Sequence, residues 1–167
     1  TAANVVPGYA EASMYVRSYN RTELDGVVAR VRKVLQGAAM MTETEVEIIE
    51  EKSLDNKIPV LALNELVMEQ AEKVKAPCIR PARQKTGSTD FGNVMYEVPG
   101  TCIRCAFVDP GVAAHSTEYV AAGTTPRGHE ALVSGSVILG AACLAMLYHP
   151  EYLATITEEF NANKNKG

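Results

Sequence analysis

An α/β (α+β) fold is predicted for this chain by two kinds of pattern that alternate along it. Runs of alternating apolar and polar residues at 9–17 and 44–50 read as half-buried strands, and apolar residues at helical spacing lie between and after them. In residues 9–17, Ala10, Ala12, Met14 and Val16 share one side while Glu11, Ser13, Tyr15 and Arg17 share the other, and Pro7 and Gly8 punctuate the start. Thr22 offers a helix N-cap, with Asp25 as its reciprocal partner, and Leu24, Val27, Val28, Val31, Leu35 and Ala38 follow on one helical face. Val46 and Ile48, set between glutamates, return the chain to an extended pattern. The first fifty residues thus read strand, helix, strand.

A charged and polar connection over residues 50–57 shifts the composition and marks a boundary near residues 51–59. Beyond it, Leu63, Leu66, Val67, Ala71 and Val74 recur as a second helix, and residues 77–89, rich in Pro, Arg, Lys and Gly, read as loop. Strands are expected at residues 94–98 and 101–108, on either side of Pro99 and Gly100. Residues 111–128 form a long loop carrying His115, Glu118 and Arg127, and long loops in compact domains tend to be functional. A small-residue helix is expected from about 129 to 147, and Pro150 stands where the first turn of a last helix, ending near Phe160, accepts it. The Asn/Lys tail beyond is expected to fray.

The chain has 167 residues, of which 47% are hydrophobic, enough to fold around a buried core, and its formal charge of -4 is well mixed along the sequence. That balance excludes the positive field of a nucleic-acid binder and disfavours acidic lipid surfaces. The longest apolar stretch, residues 131–148, is interrupted by Ser134, Gly135, Ser136 and Gly140, and reads as a helix buried against protein rather than a membrane span. Of the 4 cysteines, Cys102 and Cys105 form a C-x-x-C pair, but on a strand residues three apart face opposite ways, so the pair reads as structural. With no signal peptide or disulfide framework, a reducing cytoplasm is the expected location. The first residue is Thr1, which raises the expectation of polypeptide upstream.

Three places concentrate groups suited to chemistry. His115 lies in Ala113, Ala114, His115, Ser116, Thr117, Glu118, Tyr119, and an imidazole is a common metal ligand when its second nitrogen is held by a neighbour. Gly87, Ser88, Thr89, Asp90, Phe91, Gly92, Asn93 form a polar, glycine-flanked cluster in which Asp90 can orient another group or cap the next element. Asn4 and Arg17 form a potential pair: a bend at Pro7 and Gly8 lets both grip one carboxylate, with Arg17 as a bidentate fork. The plain readings are a structural histidine, a turn and a surface arginine.

Together, the run Ala3, Asn4, Val5, Val6, Pro7, Gly8, Tyr9, Ala10, Glu11, Ala12 with Tyr15, Val16, Arg17, then residues 87–94 and finally Ala114, His115, Ser116, Thr117, Glu118, Tyr119, resemble metallopeptidase family 20. That family includes aminoacylase, carboxypeptidase G, carnosinase and p-aminobenzoyl-glutamate hydrolase, the last being the closest in flavour. The resemblance implies half of a ferredoxin-like lid, or dimerisation, domain in residues 1–51 and the C-terminal part of a zinc-peptidase catalytic domain in residues 52–167. It assigns His115 as the last metal ligand of a two-zinc site, in which manganese is an alternative. Asn4 and Arg17 are then lid residues that bind the substrate's carbonyl or carboxylate, and Ser88 and Asp90 lie in the loop that shapes the substrate site.

The family's earlier metal motif, its adjacent glutamates with the general base, and the first half of the lid have no counterpart here, and the resemblance places them upstream of Thr1. The implied function is the C-terminal portion of a metal-dependent amidohydrolase or peptidase acting on an N-acyl amino acid, aminobenzoyl-glutamate or a dipeptide, inactive as an isolated chain. An open sheet edge in a half lid further implies a homodimer, or association with the missing N-terminal portion, and no membrane or nucleic-acid partner. The alternatives are a non-catalytic dimerisation or small-ligand-binding module, and a redox or zinc site at Cys102 and Cys105.

Overall fold

The computed structural model describes residues 4–77, 79–80 and 87–164, which carry helices and, among the described residues, no β-strand. The α/β expectation, with its ferredoxin-like half, is therefore corrected: the chain is helical. By internal contacts it divides into two compact units, Thr1–Ser53 and Leu54–Gly167.

In the first unit, helix α1 spans Arg21–Thr42. Its N-cap is Asn20 rather than Thr22: Asn20 has extended backbone, and its side chain accepts a 2.9 Å hydrogen bond from the Glu23 N–H. The Ser18 hydroxyl donates to the Glu23 carboxylate at 3.1 Å, and Glu23 places its charge in the first turn, where the helix dipole favours it. Glu43 ends the helix in the left-handed region at φ 55, and the Thr44 N–H bonds back to the Ala39 carbonyl at 3.0 Å. The predicted stripe of Leu24, Val27, Val28, Val31 and Leu35 is half-buried, and no residue of α1 is fully buried.

Residues 9–17 and 44–50 have no regular secondary structure. A strand is held by the backbone groups of a neighbour, and among the described residues neither run has one. Alternation records a preference for one buried side, and in residues 9–17 even that is unmet, since Ala10, Ala12 and Met14 are exposed and Val16 is half-buried. Residues 44–50 are instead tied to α1 by a two-pronged ion pair between the Arg32 guanidinium and the Glu50 carboxylate, with Ile48 half-buried beside it.

The second unit is built on α2 (Leu61–Lys73), α5 (Pro126–Tyr148) and α6 (Pro150–Lys164), each packing on the other two. The core joins Ile58, Val60, Leu63, Leu66, Val67 and Ala71 to Ile138 and Ala142 of α5 and to Ile156 and Phe160 of α6. Helix α2 has no side-chain cap of its own at Val60. Its free N–H groups are met from α6, where Glu159 accepts from Leu61 at 2.8 Å and from Ala62 at 2.9 Å. Asn163 donates to the Pro59 carbonyl at 2.9 Å, so α6 continues past Phe160 with a tertiary tie where fraying was expected. The tail residues 165–167, like Cys78 and residues 81–86 of the expected loop, lie outside the described residues.

The short helix α3 (Phe91–Met95) takes in the start of the strand expected at 94–98. Asn93 and Asp55 bind each other through side chain and backbone, and Tyr96 donates to Asn56 at 2.8 Å. The close approach leaves no room for a side chain at Gly92, where a Cβ would lie 2.1 Å from the Asp55 carbonyl oxygen. Residues 101–108 are also irregular, yet Thr101, Ile103, Cys105 and Phe107 are half-buried while Cys102 and Arg104 are exposed. Ala106 and Val108 are half-buried as well, so the segment lacks both the ladder of the expected strand and its full alternation. The Cys105 sulfur sits where a Cβ on Gly135 of α5 would come within 2.8 Å, so this glycine admits the segment against the helix. Cys102, Cys105 and Cys143 are free thiols.

Helix α5 has 23 residues and begins before the expected start. Only Ala131, Gly135, Ile138 and Ala142, one narrow stripe, are buried, while Leu132 and Leu147 are 69% and 76% exposed. It is long and apolar enough to cross a membrane by length and composition, with 22% of its apolar window buried. The expectation of a helix enclosed by protein is thus met along that stripe alone. In α2, by contrast, the amide nitrogen of Gln70 is buried without an acceptor among the described residues.

Candidate functional site

The predicted site residues separate into two sets. Asn4 and Arg17 belong to the first unit and are exposed, with the Arg17 guanidinium 5.8 Å from the centroid of the Tyr15 ring. Ser88, Asp90 and His115 belong to the second unit, and no hydrogen bond or ion pair joins either of the first two to His115. Ser88 and Asp90 are exposed at the entry to α3. Asp90 occupies the cap position without a cap bond, and the Thr89 hydroxyl instead accepts from the Phe91 N–H at 3.3 Å.

The loop expected at residues 111–128 is partly helical, containing α4 (Thr117–Ala122) and the start of α5. Ser116 caps α4 by accepting from the Tyr119 N–H at 3.1 Å, which places His115 one residue ahead of the cap. His115 is exposed and has a left-handed backbone at φ 65, as does Gly111 at φ 98. For a residue other than glycine that conformation is uncommon, and histidine is among the few that adopt it. No neighbour among the described residues engages the imidazole. Beside it, the Glu118 carboxyl is held below the usual carboxylate range by its own backbone N–H and by the hydroxyls of Ser116 and Thr117, so it stays ionised at neutral pH.

The stems of this loop are fastened on several sides. Arg127, in the first turn of α5, donates to the Asp109 carboxylate at 2.7 Å and to the Val108 carbonyl at 3.3 Å. Phe107 meets Tyr119 of α4 edge-on, ring centroids 4.8 Å apart. Gly128 brings α5 against the end of α4 so closely that a Cβ there would lie 2.6 Å from the Gly123 carbonyl oxygen. Thr125 caps α5, accepting from Gly128 at 3.2 Å. Between these elements lies a shallow cleft of about 290 Å³, with Phe107, Val108 and Val112 as apolar wall and Asp109, Glu118 and Arg127 as charged rim. A cleft of about 390 Å³ between α2 and α6 contains none of the predicted site residues.

The sequence reading placed Glu118 and Arg127 in the loop but missed the tie to Asp109. Their separation follows no local spacing rule, and only the Thr125, Pro126 helix start signalled that Arg127 opens a helix. Among the described residues, no group of three or more His, Cys, Asp and Glu side chains is placed to hold a metal ion. A closed metal site takes about four ligands, so His115 by itself does not form one.

Similar sequences occur among hydrolases. The similarity supports a relationship to amidohydrolases of the metallopeptidase family 20 type. The chain is 27% identical over 162 residues to the Xaa-Arg dipeptidase of Homo sapiens, a match covering 94% of this chain and 37% of that protein. To the Xaa-Arg dipeptidase of Mus musculus it is 26% identical over the same 162 residues, with the same shares. To the N-acetyldiaminopimelate deacetylase of Leuconostoc citreum it is 29% identical over 107 residues, covering 61% of this chain and 27% of the relative. No family model matches the chain. The chain therefore spans little more than a third of the length of the dipeptidases it resembles.

Proposed function

We propose that this chain supplies the carboxy-terminal portion of a metal-dependent amidohydrolase or peptidase that cleaves the amide bond of an N-acyl amino acid, aminobenzoyl-glutamate or a dipeptide. On its own it is inactive. The observation that carries this reading is the similarity to a dipeptidase along 94% of the chain but only 37% of the relative. The exposed, unengaged imidazole of His115 agrees with it, as does the broad uncovered apolar surface of α5, which suits a helix belonging to a larger core.

His115 is assigned as one ligand that would hold a metal, zinc or manganese, in the complete enzyme, where that ion would supply Lewis-acid chemistry toward the amide carbonyl and water. Among the described residues no set of ligands completes such a centre, so no catalytic step is assigned to this chain. Asn4 and Arg17 bind the substrate's carbonyl or carboxylate, Arg17 as a planar two-pronged donor. Ser88 and Asp90 line the substrate site. The working form is a homodimer or an assembly with the polypeptide that completes the site, in a reducing compartment that suits the free thiols of Cys102, Cys105 and Cys143.

Hydrolysis of p-aminobenzoyl-glutamate, N-acyl amino acids and dipeptides tests the proposal, comparing the isolated chain with the full-length polypeptide that carries it. The isolated chain stays inactive with added zinc, and His115→Ala lowers turnover of the full-length form by about 100-fold or more, the scale expected for disrupting a metal's ligation. Turnover unchanged by that substitution would refute the assignment.

A further inference from the structure

We infer that Arg127 is a positioning residue that sets the direction in which His115 is presented. The inference rests on the functional reading of His115 given above. The loop carrying His115 leaves the irregular segment at residues 108–109 and rejoins regular structure at α4, and between its left-handed turns at Gly111 and His115 and its outgoing stem the internal tie is the Val112 N–H, which donates to the Asp109 carbonyl at 3.3 Å. The Arg127 guanidinium reaches back to the outgoing stem, gripping the Asp109 carboxylate and the Val108 carbonyl with two different nitrogens. The same turn of α5 lies against the far end of α4 through the close approach at Gly128. One helical turn therefore contacts both the outgoing stem of the loop and α4, the helix into which His115 leads, and Phe107 packs against Tyr119 between stem and helix.

Both partners of the ion pair are largely exposed, at 49% and 79% for the Arg127 and Asp109 side chains, so the pair contributes little to global stability. Its effect is local order. That separates positioning from a general structural role. The planar fork also matters: lysine, a point charge, cannot engage the carboxylate and the carbonyl in the same geometry.

NMR of the full 167-residue chain tests the inference, using amide order parameters for residues 110–116 and the His115 imidazole carbon–proton signal. In the wild type these amides show order near 0.85, as in rigid backbone, and in Arg127→Met they fall below about 0.6. The imidazole signal moves toward its random-coil position, while the signals of Ile138 and Phe160 and the melting temperature do not change. Arg127→Lys gives an intermediate loss, and the charge-swapped pair Asp109→Arg with Arg127→Asp restores order in part. Loop order equal to wild type in Arg127→Met, or loss that spreads to Ile138 and Phe160, overturns the proposal. His115→Ala activity answers the functional reading separately, so a failure of one is not mistaken for a failure of the other.

Discussion

The Glu159 carboxylate on α6 accepts both leading N–H groups of α2, from Leu61 at 2.8 Å and Ala62 at 2.9 Å. A carboxylate in this position answers two unpaired donors and the positive end of the helix dipole together. Because it comes from another helix, it also fixes α6 against α2. We expect Glu159→Ala to destabilise the second unit by about 1–2 kcal/mol, read as a lower denaturation midpoint, and Glu159→Gln to cost less.

Gly92 faces the Asp55 carbonyl with no room for a methyl group. Gly92→Ala must push α3 away from residues 55–56 and break the Asp55–Asn93 pairing. The expected cost is about 2–3 kcal/mol, in the range of overpacked cores, with the amide signals of residues 87–96 moving most. Gly8→Ala, where nothing lies within 4 Å, is the control and has a small effect.

Gln70 buries an amide nitrogen without an acceptor among the described residues, and a buried donor left unpaired costs about 1–3 kcal/mol. Gln70→Leu is therefore expected to leave stability unchanged or raise it, where most core substitutions lower it. A denaturation midpoint below that of the wild type would show that the amide has a partner.

The Arg32–Glu50 pair makes residues 44–50 sensitive to acid. The hydrogen bond from Arg32 holds the Glu50 carboxyl below its ordinary value of 4.5, and the Glu50 carboxylate in turn raises the Arg32 guanidinium. A carboxylate depressed in the folded state stabilises it above the ordinary value and loses that effect as pH falls through the lower folded value. Amide exchange in residues 44–50 should therefore quicken as pH is lowered well below 4.5, after correction for the intrinsic rate. The pair is exposed, so salt at neutral pH should loosen the segment in the same way.

Periodicity made α1 and α2 legible, whereas α5 was read from a run of small apolar residues and α6 from Pro150 at its first turn. The strands were not legible, because alternation encodes which side chains turn inward, whereas a strand also requires a neighbour's backbone. Residues 101–108 show the difference: Ile103 is half-buried between exposed Cys102 and Arg104, in a segment with no ladder. In the loop, His115 was singled out through its motif. The Asp109–Arg127 tie was not, since it joins positions brought together only by the start of α5. The Asn20 cap was missed because Ser18, Asn20 and Thr22 are all competent caps, and choosing among them takes the backbone conformation.

Zinc titration of the isolated chain, followed by calorimetry with dipeptide hydrolysis assayed in the same samples, tests the central claim most directly. With His115 as its one contribution to a metal centre, the chain takes up no stoichiometric zinc at micromolar concentration and turns over no substrate. Tight uptake of one or two zinc ions per chain, accompanied by metal-dependent hydrolysis, would contradict the account.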